Sequence, residues 1–269
     1  GDADTPAAKL ATSALNQILA YTPLVPNWAW HGSAYGMGDF NNNGYYRGNE
    51  RVLQHYRSGL NAIPTTEAFL RSPDDTYLLR LAAGSIGGTL ANIDESGANS
   101  MAFHSDPSNL FYDPASGDGG LGLYGHTHTT AAFLVHDADL GFQCYFCDFL
   151  VHTGDGVGGS GSVTLTPRDS YRRAVYLAPL GCLLVSEAGV IANVVSHLKD
   201  PSAQGHAHMT SFRVEYAPVK NQPLTSYRLR LDVRAGRCSF AVAGSIPVVR
   251  GAFEVRLNAP VVQVTATCP

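Results

Sequence analysis

Apolar and polar positions follow two different rhythms along the chain. In the first ~150 residues the apolar side chains recur three and four apart, in segments separated by long glycine-rich stretches. The segment "TPAAKLATSALNQILAY" offers Thr5 as N-cap and Pro6 at the first helical position, with Leu10, Ala14, Ile18 and Tyr21 on one stripe. "NERVLQHYRSGLN" places Val52, Tyr56 and Leu60 four apart, which predicts a helix from Asn49. "SPDDTYLLRLAAG" predicts another, capped by Ser72, entered through Pro73, favoured by Asp74 and Asp75 at the positive end, and stopped by Gly84. Further helices are expected at about 85–91 and 127–138, and 140–150 reads equally as helix or buried strand.

Beyond the glycine-serine run "HTGDGVGGSGS" the period shortens to two. Short β-branched segments follow one another, among them "SVTLTP", "RAVYLAP", "MTSFRVEYAP" and "PVVQVTAT". Tyr227 to Val233 alternates strictly. Regular short strands with turn residues between them predict an antiparallel β-sandwich. The expected organisation is therefore α+β: a helical part over residues 1–155 and a β-sandwich over 156–269.

Composition narrows the function. Hydrophobic residues make up 45% and charged residues 15%, with a net charge of −4. The chain thus reads as globular, without the basic face that nucleic acid requires. No apolar run reaches the roughly 18 residues of a membrane span. The surface of amides and hydroxyls, with few charges, suggests a secreted protein. Gly1 reads as a processed terminus. Of five cysteines, Cys238 and Cys268 are placed to staple the C-terminus to the sheet, while Cys144 and Cys147 read either as free thiols or as a disulfide. No metal or other cofactor is expected. His126-Thr127-His128 and His206-Ala207-His208 have ligand spacing, but neither shows a third ligand.

The candidate chemistry lies in the loops of the first half. Residues 27–43, "NWAWHGSAYGMGDFNNN", combine Trp28 and Trp30 with His31, Tyr35 and Asp39 among glycines. Aromatic faces that stack on sugar C–H surfaces, beside groups that bond hydroxyls, are what a glycan site needs. Glycoside hydrolysis takes two carboxyl groups across a sugar, and Asp39 and Asp118, both beside glycine, are the candidates. His31 and Tyr35 stand beside them as catalytic candidates. Trp28, Trp30, Arg57, His104, Tyr124 and His126 are candidates for holding substrate. Elimination on a uronic acid would use His, Tyr, Arg and Asn instead, and His55 and Tyr56 join that set.

The phrases "WHGSAYGMGDFNNN", "HYRSGLNAIP", "DDTYLLRLAAGSIGG", "SMAFHSDP" and "SGDGGLGLYGH" together resemble an uncharacterised family of large secreted, glycosidase-like proteins. More broadly, the chain resembles the six-hairpin (α/α) toroid carbohydrate-active enzymes. The resemblance covers about residues 25–195 and implies a toroid-like first half and a polysaccharide or oligosaccharide substrate. A toroid takes about twelve helices, and about six fit before the sheet begins. The resemblance therefore implies a second chain of the same precursor completing the ring, against which Leu10, Ile18, Leu78 and Leu81 would pack. The alternative is a smaller helical subdomain, complete as it stands. Three functions follow: a glycoside hydrolase first, a polysaccharide lyase second, and a non-catalytic glycan-binding or assembly subunit third.

Overall fold

In a computed structural model, the structure describes residues 5–20, 34–35, 52–90, 102–106, 109–112, 130–137, 139–152, 161–169, 171–187, 189–199, 209–217, 227–233, 238–242, 245–248, 252–255 and 261–267. Among these the protein is β-rich, with seventeen strands and three α-helices. This overturns the expected (α/α) toroid-like half, and with it the α+β description. The chain divides into two compact units, Gly1–Phe69 with Asp75–Thr129, and Leu70–Asp74 with Thr130–Pro269.

The first unit contains α1 (Pro6–Ala20) and most of α2 (His55–Arg71) and α3 (Thr76–Leu90). Thr5 caps α1, its Oγ1 accepting the Ala8 N–H at 3.2 Å. α2 begins at His55, six residues later than the Asn49 start expected from the spacing of Val52, Tyr56 and Leu60. Gly84 does not stop α3, which absorbs the separate helix expected at 85–91. Leu78, Leu81, Ala82, Ser85 and Ile86 fall three or four residues apart along one stripe and are all buried, so packing outweighs the glycine's cost. Leu78 and Leu81, expected against a second chain, are thus covered within this one. Leu10 is 72% exposed.

Short strands complete the unit. β1 (Ala34–Tyr35), β2 (Val52–Gln54), β3 (Ala102–Asp106) and β4 (Asn109–Tyr112) form a four-stranded sheet in that order, antiparallel throughout. Val52–Gln54, read as helix from its spacing, is thus the strand between β1 and β3. Cross-strand pairing decided against the helical period there.

The second unit is two sheets over one core. Its strands are β5 (Ala132–Asp137), β6 (Gly141–Tyr145), β7 (Cys147–His152), β8 (Gly161–Pro167), β9 (Ala174–Leu177), β10 (Cys182–Ser186), β11 (Val190–Leu198), β12 (Met209–Ala217), β13 (Tyr227–Val233), β14 (Ser239–Val242), β15 (Ser245–Val248), β16 (Ala252–Val255) and β17 (Val261–Thr267). Seven strands pair in the order β15-β16-β13-β10-β9-β5-β6, and six in the order β14-β17-β12-β11-β8-β7. All neighbours are antiparallel except β5 and β9. Alternate residues point inward, so Leu134, Leu177 and Leu184 of one sheet share a buried cluster with Leu165, Val194, Phe212 and Val264 of the other. The helix expected at 127–138 is replaced by β5, and 140–150, read as helix or strand, belongs to β6 and β7. Four successive residues of β5, Ala132 to Val135, are buried, so the strand shows none of the alternation that identifies its neighbours.

The chain crosses from one sheet to the other at Phe146, whose φ of +56° turns β6 into β7. A Cys144–Cys147 disulfide spans this corner, and the Arg168 N–H donates to the Phe146 carbonyl at 2.8 Å. Cys182 sits in the core. Cys238 is disulfide-bonded, and the adjacent Ser239 pairs with Thr267 in the ladder.

Candidate functional site

The small sheet of the first unit is where segments singled out for chemistry converge. Tyr35 pairs with Val52, and the next residue of β2, Leu53, pairs with both Ala34 and His104. Tyr35 and His104, 69 positions apart by their numbers, thus lie two strands and one register step from each other. Two interstrand steps amount to about 10 Å. β2 runs directly into α2, whose first three residues are His55, Tyr56 and Arg57. The backbone therefore gathers Tyr35, His104 and the His55–Arg57 triplet around β2. Trp28, Trp30, His31, Asp39, Asp118, Tyr124 and His126 lie outside the described residues, as do both His-x-His pairs.

A second polar grouping was not singled out from the sequence. On the six-stranded sheet, Thr166 of β8 donates to the Asn193 Oδ1 of β11 at 2.8 Å. Asn193 Nδ2 donates to Glu215 Oε2 at 3.0 Å, and Arg213 Nε donates to Glu215 Oε1 at 2.8 Å, both partners lying on β12. The hydrogen bond from Arg213 foremost, then that from Asn193, lowers the Glu215 pKa below its ordinary value, outweighing the opposing effect of burial. A carboxylate with both oxygens engaged by donors is held ionised and is a poor proton donor, so the row serves as a cross-strand tie. Its signal was available: polar residues at the same phase of three alternating strands.

Asp169 also has a structural task. Its Oδ1 accepts the N–H groups of Tyr171 at 3.0 Å and Arg172 at 2.7 Å, closing a turn in which Arg172 has a φ of +48°. This explains why a carboxylate only 8% exposed stands between β8 and β9.

The fold thus defines a β-rich protein with a two-sheet sandwich and a small sheet set among aromatic, glycine-rich segments. Residues 6–260 match the family of unknown function DUF5695, and the chain belongs to that family. No curated protein and no solved structure matches it.

Proposed function

We propose that the chain is a secreted carbohydrate-active enzyme that works on a polysaccharide or oligosaccharide at the small sheet of its first unit. The observation that carries this reading is the shared neighbourhood of Leu53. Through it the aromatic segment around Tyr35 and the strand bearing His104 become parts of one sheet. Hydrolysis at this site would rest on Asp39 and Asp118, one as acid and the other as base or nucleophile. Trp28 and Trp30 would supply the sugar platform.

A second reading, elimination by a polysaccharide lyase, draws on a specific feature of the same sheet. The groups gathered around β2 are histidine, tyrosine and arginine. Arg57 would neutralise a uronic carboxylate, and Tyr35 and the histidines would move the C5 proton and protonate the leaving oxygen.

One experiment separates the two. The purified chain is incubated with a panel of neutral and acidic glycans, and both new reducing ends and the absorbance of unsaturated products are followed. Reducing ends without absorbance, abolished by Asp39→Asn or Asp118→Asn, supports hydrolysis. Absorbance lost in Tyr35→Phe and His104→Gln supports elimination. Binding without turnover would move the protein to the glycan-binding class. Neither binding nor turnover on any glycan would overturn the reading.

A further inference from the structure

We propose that the chain self-associates through β7, which pairs antiparallel with β7 of a second copy in a register centred on Leu150. Among the described residues β7 ends its sheet, paired with β8 on one side only. Among the strands whose burial is described it is the most exposed. Phe149, Leu150 and Val151 are 39%, 57% and 36% exposed, although all three are large and apolar. Exposed edges invite further strands, and proteins usually blunt them with proline, lysine, bulges or brevity. Two other sheet ends follow that rule: β15 contains Pro247, and β14 has four residues. β7 has six residues, no proline or lysine, and an unbroken register with β8.

The strand's sequence selects the occupant. Written about Leu150, the segment "DFLVH" is complementary to itself in the antiparallel sense. Phe149 falls opposite Val151 of the second copy, and Asp148 opposite its His152. An imidazole N–H donates to a carboxylate whether the ring is charged or neutral. In the present chain Asp148 accepts from Arg168 Nε at 2.6 Å, so its charge is already partly offset on its own sheet. Alternation sorts these contacts by face. Phe149 and Val151 pair with the core residues Leu165 and Val163, while Asp148, Leu150 and His152 pair with the outward Thr166, Thr164 and Ser162. Two copies so joined would form one twelve-stranded sheet, with an apolar row below and a Leu150 pair flanked by two Asp148–His152 pairs above. Strand addition alone buries less than the ~1,200 Å² of standard interfaces, so the dimer is weak and concentration-dependent.

Sedimentation equilibrium over a wide concentration range tests this. A monomer–dimer equilibrium in the micromolar range is expected. Leu150→Lys sets two ammonium groups side by side on the two-fold axis and should weaken the dimer about tenfold or more. His152→Asp should weaken it similarly by facing Asp148 with a like charge. Adding Asp148→His to His152→Asp reverses the pair and should recover most of the loss. A chain that stays monomeric throughout overturns the proposal. So does a dimer indifferent to these substitutions, or a β7 edge occupied only by strands of unrelated sequence.

Discussion

β12 and β7 belong to the same sheet, yet they meet water in opposite ways. β12 lies between β11 and β17, and its burial alternates from Ser211 to Ala217, inward residues covered and outward ones partly open. β7 is exposed from Asp148 to His152 on both faces. Both are hydrogen-bonded into the ladder. Pairing therefore supplies backbone partners, while burial comes from the facing sheet and from neighbours on both sides. The contrast locates stability in the interior strands and leaves β7 free for another task.

The largest expected effect breaks this comparison if it fails. Phe212, fully buried on β12, packs edge-to-face on Phe240 with ring centroids 6.3 Å apart. Phe212→Ala should cost about 3–5 kcal/mol, because transfer and cavity terms add. Phe149→Ala on β7 should cost under about 1 kcal/mol, since the ring is already partly in water. Urea unfolding of both variants measures the difference. Similar losses would mean that β7 is covered in a way its exposure does not reveal.

The next effect concerns the corner that separates β7 from β6. Replacing both Cys144 and Cys147 by Ser removes a four-residue loop closure, worth about 2 kcal/mol in the chain-entropy account. Thermal unfolding with and without a dithiol reductant checks it, and the reductant should have no effect at this corner in the double variant. Loss of the β6–β7 corner alone, seen as faster amide exchange confined to residues 141–152, would show that the disulfide orders the crossing more than the core.

The contrast also explains what could be read from the sequence. β8 and β17 were legible because one face of each meets the core and the other meets water, so their alternation is written residue by residue. β5 was not, because neighbours bury it on both sides and a run such as Ala132 to Val135 has no period to detect. Val52–Gln54 was misread because Val52, Tyr56 and Leu60 have helical spacing, and only the pairing with β1 and β3 reveals a strand. For the candidate site, the sequence named Tyr35, His104 and Arg57 individually. It gave no sign that Leu53 would be the residue joining two of their strands, since a register between distant segments is not a local property.

Asp169 gives a smaller test, on the connection between the two sheets' strands β8 and β9. Its Oδ1 satisfies two backbone N–H groups. Asp169→Ala leaves them without that acceptor and should cost about 1 kcal/mol. Asp169→Asn keeps the acceptor oxygen and should recover most of the loss. Equal losses in both variants would point to the charge rather than the turn.

The smallest effect is at Glu215 on β12, and its pH dependence fixes its sign. Hydrogen bonds from Arg213 and then Asn193 lower its pKa in the folded chain below the ordinary 4.5. A depressed carboxyl pKa contributes stability that is fully present above the unfolded value and is lost as pH falls through the folded one. The Arg213 and Glu215 side chains are 39% and 28% exposed, so solvent screens the pair and the contribution stays below about 1 kcal/mol. Glu215→Gln should therefore be slightly less stable than the parent near neutrality. The two should converge as pH is lowered from 4.5 through the folded-state pKa. Urea midpoints across that acidic window provide the measurement. A gap that widens toward low pH would mean that the protonated carboxyl, not the carboxylate, is the form the cross-strand row favours.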